Sequence, residues 1–259
     1  MTVTSLVESL GAIALYAALI AALSALEALL PFRRPRGGAA RRRANVALTS
    51  LYLALNVGLN LGLLLLAERA GFGWLESAAL PLWAWLALAL PALDFAAYWA
   101  HRTMHLSAPL WRVHRVHHAD VHLDATTAFR THPLEGVWRA LFTAAPVLAL
   151  GIPAPVLAVY RIASGLNAIF EHMNLRLPRP LDRALALLVV TPDMHKVHHS
   201  REAPETDTNY GNLFAPFDRL FGTFTTPDRA ADCVYGLDGF RGEESVIELL
   251  ASPLRRPPW

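Results

Sequence analysis

The chain has 259 residues, 54% of them hydrophobic, with a mean hydropathy of +0.33 and a formal net charge of +2. That is too apolar for an ordinary soluble domain, and the charge gives no footprint for a nucleic-acid partner. The single cysteine, Cys233, excludes a disulfide framework, a CxxC redox pair, a four-cysteine iron–sulfur cluster and a c-type haem site, so no electron carrier is visible.

In chain order, Gly11 to Leu30 is nearly continuous apolar sequence of the length a bilayer core demands. Glu8 and Glu27 lie near its ends, placed to reach headgroups. No basic n-region precedes it, so a cleavable signal peptide is not expected. A basic loop follows, with Arg33, Arg34, Arg36, Arg41, Arg42 and Arg43. The positive-inside rule puts that loop in the cytoplasm and the N-terminus outside. Ala44 to Ala67 is a second span, whose Asn56 and Asn60 are expected to hydrogen-bond a neighbouring helix. Glu68 to Ala78 is a short outer connection with Trp74 at interface depth. A third span, Leu80 to Ala100, is interrupted by Pro81 and Pro91 and delivers His101 and His105 to the cytoplasmic side. Asp94 lies within it, where an ionisable group is costly; it is either functional or an interhelix hydrogen bond.

Pro109 is read as ending that helix, and Leu110 to His118 as starting another at the surface. His122 to Glu135 is a loop or short helix. Gly136 to Leu150 and Ala154 to Phe170 are apolar runs separated by Gly151, Ile152 and Pro153. They read as a hairpin that enters from the cytoplasmic side and returns, part way or fully across. That parity puts His172, His195, His198 and His199 on the side of the first histidines. The stretch after Asn174, LRLPRPLDRALALLVV, reads as an interfacial helix. Phe214, Phe217, Leu220, Phe221 and Phe224 are expected to pack against the cap. One domain, 1–259, is expected.

The histidines carry the chemistry. His101, His105, His114, His117 and His118 fall within one short stretch, and His195, His198 and His199 form a second cluster. Residues three or four apart share a helix face. The third histidine of each HxxHH is expected to leave the shared stripe and reach a second metal or a shared edge. Asp94, Tyr98, His101 and His105 form one stripe at the helical period. Eight imidazoles exceed the need of one four-coordinate metal and suit two. Imidazole suits iron, copper, nickel and zinc alike. The HExxH of zinc proteases and the Glu-x-x-His pairs of carboxylate di-iron bundles are absent.

HRTMH, HRVHH and HKVHH, with FRTHPLE, FEHMN and ETDTNYGNLFAPFDRLFGTF, resemble the fatty acid hydroxylase superfamily, in its sterol desaturase-like branch. The resemblance runs from about Asp94 to Phe224, half the chain. It implies an all-α integral membrane protein whose transmembrane helices carry a cytoplasmic histidine-rich helical cap, in the inner membrane of a bacterial source. It also implies a di-iron centre that uses O2 and two electrons to hydroxylate or desaturate a lipid. The electrons would come from a separate donor, ferredoxin- or cytochrome b5-like, with its reductase. Zinc can fill such a nitrogen site in purified protein. His172 matches the family's extra histidine and is taken as a ninth ligand.

Other residues stay open between two readings. Asp120 and Asp124 either hold ligand imidazoles or are loop aspartates. Tyr98 and Trp99 either line a substrate path or form an interfacial belt. His132, extended before Pro133, is an outer support or a structural residue, with a ligand role kept open by FRTHPLE. Arg130 and Glu135 are read as an ion pair, Asn209 as part of a turn that fixes the last cluster, and His122 as peripheral. Two alternatives remain: a metal-dependent membrane hydrolase using zinc-activated water, and a haem-binding electron-transfer protein. Iron content and O2 consumption separate the hydrolase from the oxidase.

Overall fold

The structure, a computed structural model, describes residues 18–34, 38–70, 73–75 and 78–255. The first predicted span therefore begins outside the described residues, as do Glu8 and Arg36. Helices account for the architecture: α1 (Ala18–Leu29), α2 (Ala39–Ala70), α3 (Leu82–Leu106), α4 (Ala108–His118), α5 (Pro133–Leu150) and α6 (Ala154–His172). Five short helices follow: α7 (Arg179–Leu185), α8 (Pro192–His198), α9 (Ala203–Thr206), α10 (Pro216–Leu220) and α11 (Val246–Ala251). The described residues contain no strand beyond two isolated bridges, Pro31 with Leu175 and Val189 with Phe214.

Leucine and alanine make α2 and α3 long and apolar enough to cross a membrane. α2 turns Val46, Leu51, Leu53, Val57 and Leu61 outward. The prolines of the third span act differently from expectation. Pro81 sits just before α3, where its missing N–H costs nothing, and α3 runs through Pro91. Pro109 does not end α3. Ser107, in extended geometry, separates the helices, and Pro109 lies in the first turn of α4, where proline is favoured.

The hairpin of α5 and α6 is as deep as the α2–α3 pair. At its tip Gly151 takes φ 69°, a left-handed helix end that suits glycine. The N–H groups of Trp74 and Leu75, in the α2–α3 connection, donate to the carbonyls of Ala149 (2.9 Å) and Leu150 (3.3 Å). A Cβ on Gly73 would stand 2.5 Å from Gly151 Cα, so the close crossing requires a glycine there. α5 packs against both α2 and α3, around a core that includes Leu63, Trp85, Leu93, Val147, Leu157 and Tyr160. The hairpin thus returns the chain to the end where α3 delivers His101 and His105.

Polar clasps fasten the cap to the bundle. Arg41, 1% exposed, meets Asp120 at 2.5 Å and Asp124 at 2.6 Å, and Asn45 donates to Asp120 at 3.0 Å. Arg33 donates to the carbonyls of Ala230, Ala231 and Cys233. Two of the arginines read as loop charges are therefore structural. Glu27 does not reach outward for headgroups. Its carboxylate accepts the backbone N–H groups of Ala125 (3.2 Å) and Asn174 (2.5 Å), tying the end of α1 to the cap. Asn60 accepts from Arg161 of α6 at 3.1 Å, the interhelix bond expected, whereas Asn56 donates within its own helix to Tyr52 O.

Candidate metal centre

Four helix segments converge at the cap end of the bundle. The last turns of α3 bring His101 and His105, α4 brings His114, His117 and His118, and α6 ends on His172. The first turn of α8 is set by Thr191, whose hydroxyl accepts the Met194 N–H at 3.3 Å. That helix places His195 and His198, with His199 at its end.

The nine imidazoles fall into two groups. His101, His105, His114, His118 and His198 form one; His117, His172, His195 and His199 form the other, the nitrogens within each lying no more than 4.8 Å apart. All nine residues that the sequence singled out as ligands are brought together. The partition differs from expectation, because the middle histidine of each HxxHH crosses over, not the third. At about 100° per residue, i+4 lies roughly 40° to one side of i and i+3 roughly 60° to the other. His118 therefore stays with His114, and His117 turns to the other group.

Outer partners set the tautomers. His101 Nδ1 lies 3.0 Å from Tyr210 O, His117 Nδ1 3.3 Å from Arg130 O, His172 Nδ1 2.6 Å from Ala168 O and His198 Nδ1 2.7 Å from Thr208 O. A carbonyl only accepts, so each of these nitrogens carries the proton and each Nε2 presents a lone pair. His114 Nδ1 faces the Glu135 carboxylate in the same way, at 2.9 Å. Yet His101 Nε2 stands 3.1 Å from His114 Nε2, and His172 Nε2 3.1 Å from His117 Nε2. Lone pairs facing at that distance repel unless a cation lies between them. The buried Nε2 atoms of His105 and His198 have no hydrogen-bond partner among the described residues. Burial also holds His117, His118, His195, His198 and His199 well below the ordinary histidine pKa, in the neutral form a metal requires. The donor set fits two nitrogen-ligated metal ions.

The supporting residues are mostly not those expected. Asp120 and Asp124 hold Arg41, not imidazoles. Asp94 accepts from Tyr160 (3.0 Å), Asn212 (3.0 Å) and the Phe214 N–H (2.8 Å), a clasp between α3, α6 and the chain before α10. Tyr98 hydrogen-bonds Thr223 at 2.8 Å and packs on Phe217 and Phe221, so it is core, neither belt nor path. His132 caps α5, its Nδ1 accepting the Leu134 N–H at 3.2 Å. His122 is buried but joins neither group. Asn209, at φ 53°, makes the turn expected of it: its side chain bonds Met194 O (3.0 Å) and the Thr225 N–H (2.9 Å), bracing α8.

Sequence reasoning missed three carboxylates. Glu135 was paired with Arg130, but Arg130 donates to Val116 O (3.1 Å) and Asn45 (2.8 Å), while Glu135 joins His114 to Arg139. The available signal was Arg139 itself, one helical turn beyond Glu135. Asp207 lies 3.2 Å from His105 Nδ1. Glu171 Oε1 lies 3.9 Å from His195 Nε2.

The family model described as fatty acid hydroxylase matches residues 86–223, more than half the chain. An ornithine lipid hydroxylase of Rhizobium tropici is 31% identical over 170 residues, 65% of this chain and 50% of that protein. Alkylglycerol monooxygenase of Homo sapiens is 33% identical over 156 residues, 60% of this chain and 33% of that protein. A Delta(7)-sterol 5(6)-desaturase of Gibberella zeae is 26% identical over 137 residues, 52% of this chain and 36% of that protein. The chain thus spans half or less of the length of these relatives. No solved structure matches it.

Proposed function

This chain belongs to the fatty acid hydroxylase family, and from that premise we propose that it is a membrane-bound oxidoreductase that hydroxylates or desaturates a lipid with O2. The observation that supports the reading is the set of facing, buried Nε2 atoms in two histidine groups, which a metal ion in each group would reconcile. Two iron ions are the proposed occupants, one in each histidine group, with zinc a substitute in purified protein. When bound, such a pair supplies reductive O2 activation and cleavage of an unactivated C–H bond.

The chain's own residues do the rest. The nine imidazoles hold the metals, and the carbonyls of Tyr210, Arg130, Ala168 and Thr208 fix ring orientation. Glu135 and Arg139 close the bundle side of the five-histidine group. For hydroxylation the balance is one C–H bond, O2, two electrons and two protons giving one C–OH bond and water. The electrons come from a separate one-electron carrier, an iron–sulfur or haem protein, since Cys233 is the only cysteine. We place α2, α3 and the α5–α6 hairpin in the bilayer and the cap in the cytoplasm, the side given by the basic segment around Arg41 to Arg43. A lipid then reaches the metals from the membrane.

The test is single-turnover chemistry. Purified protein loaded with ferrous iron is given a chemical reductant, membrane lipid extract and isotopically labelled O2. Label in a lipid alcohol, or O2-dependent formation of a lipid alkene, is expected. Metal-dependent hydrolysis without O2 uptake would overturn the reading in favour of a hydrolase.

A further inference from the structure

We propose that the cleft between α4 and the C-terminal helices binds a phosphate group, that of an anionic phospholipid in the cytoplasmic leaflet, through Arg115 and Arg255. The proposal takes from the preceding reading only that α2 crosses the bilayer with the cap on its cytoplasmic side. It does not depend on the oxidation chemistry.

Arg115 stands on α4 with 3% of its surface exposed. Its Nη2 donates to the carbonyls of Ser252 and Arg255, the latter at 3.1 Å, and its guanidinium carbon lies 5.8 Å from the centre of the Phe240 ring. Its Nε is buried and has no hydrogen-bond partner among the described residues. No carboxylate among the described residues offsets its charge: burial, and after it the like charges of Arg112 and Arg255, pull its pKa down. A buried charge is costly unless it is paired. An anion held between Arg115 and Arg255 would offset both the burial and the mutual repulsion.

Arg115 and Arg255 both lie on the wall of a cleft of about 450 Å³, in the size range of small-molecule sites. Its other charged walls are Arg241, Asp238, Glu244 and Glu248. The three carboxylates are engaged. Asp238 meets Arg201, and Glu244 accepts the backbone N–H groups of Arg241 and Gly242. Glu248 caps α11 through Ser245 and stands 3.7 Å from Arg241. Arg115 and Arg255 are thus left to what enters the cleft. The planar fork of a guanidinium matches phosphate oxygens.

Depth selects a lipid as the source of that phosphate. Leu249 of α11 packs with Ala44 and Leu48, in the early turns of α2, so the C-terminal helices lie beside the cytoplasmic end of a span. Ile247 and Leu254, next to the cleft in sequence, are 79% and 87% exposed. Apolar side chains beside arginines at that depth are how interfacial helices engage acidic headgroups. A soluble phosphate would use the arginines and leave Ile247 and Leu254 in water.

The experiment uses the full metal-loaded protein in a neutral detergent. Phosphatidylglycerol, a diacylglycerol with the same chains and inorganic phosphate are titrated separately, with retention read by native mass spectrometry and by the shift in thermal unfolding. One phosphatidylglycerol per chain should be retained in preference to the diacylglycerol. Arg255→Gln should weaken its binding about fivefold, and Arg255→Lys less, because the charge remains. Arg115→Gln should lose more; should it fail to fold, the two Arg255 variants still decide. Equal retention of phosphatidylglycerol and the diacylglycerol, or unchanged affinity in Arg255→Gln, overturns the proposal. Stabilisation by inorganic phosphate with no phospholipid retained overturns the lipid as its source. No arm reads turnover, so failure of the oxidase reading would show elsewhere and leave this result standing.

Discussion

His114 and Glu135 meet at 2.9 Å, Nδ1 to Oε2, with neither side chain open to solvent. The other imidazole–carboxylate contact of the five-histidine group, His105 with Asp207, ends on a carboxylate that is 57% exposed. A closed contact holds its tautomer without competition from water, so the two should differ in weight. Glu135→Ala should weaken metal binding about 10- to 100-fold, and Asp207→Ala much less. Competitive metal titration of the two purified variants checks the order. Equal effects would mean that burial of the carboxylate is irrelevant.

The partition predicts unequal losses among histidine variants. Intact protein should carry about two metals per chain, and elemental analysis giving one or none would count against that. His105→Ala and His172→Ala strike different groups, so each should release metal chiefly from its own. His132→Ala should keep full metal content and lose about 0.5–2 kcal/mol of stability, because its ring caps α5. His122→Ala should also keep its metals, since its ring joins neither group. Metal stoichiometry beside thermal unfolding separates a ligand from a cap.

Removing the metals should destabilise the fold and make it acid-sensitive. Burial depresses the pKa of His117, His118, His195, His198 and His199, so the folded metal-free state binds fewer protons than the unfolded chain. The stability is present above the unfolded value of about 6.5 and is lost as pH falls below it. Chelated protein should therefore lose thermal stability steadily from about pH 6.5 downward, and added ferrous or zinc ion should restore it at neutral pH. A flat profile for the chelated protein would contradict the neutral, buried imidazoles.

Arg41 is the clasp to break. Truncating one partner of a buried ion pair leaves the others uncompensated, at a cost of about 3–5 kcal/mol. Arg41→Leu should unfold the cap at lower temperature. Arg41→Lys should rescue little, because one ammonium cannot span Asp120, Asp124 and the His122 carbonyl together. Thermal unfolding of both variants decides. Wild-type stability in either would mean that the clasp contributes nothing.

Sidedness can be read by labelling. Cysteines at Arg34 and Asp238, both exposed at the cap end, should label from one compartment, and a cysteine at Trp74, 82% exposed at the far connection, from the other. The native Cys233 should stay silent, because burial and the neighbouring Glu205 push its thiol up to about 12. Labelling of Asp238→Cys and Trp74→Cys from the same side would refute the crossing of α2 and α3.

Helices and ligand types are written locally, and so were legible in the sequence. Runs of leucine and alanine mark α2 and α3 because hydropathy over some twenty residues needs no tertiary partner. The HxxxH and HxxHH spacings mark eight imidazoles because a helix repeats every 3.6 residues whatever surrounds it, and the ninth, His172, is marked by the family resemblance of FEHMN. The hairpin's direction followed from counting crossings. Packing decided which cluster's histidines join which, since His198 and His101 meet only after the α5–α6 hairpin has returned the chain. It also decided which carboxylates serve the site. Asp120 is the carboxylate that the spacing offers to an imidazole, but Arg41, 79 residues earlier, claims it, and Glu135 meets His114 instead. Tyr52, Arg139 and Arg161 meet across three helices to make a polar cavity, which no single stretch of sequence records. A hydrogen bond reaches about 3 Å, so which of several candidate acceptors a given imidazole finds is set by helix packing and not by spacing along the chain.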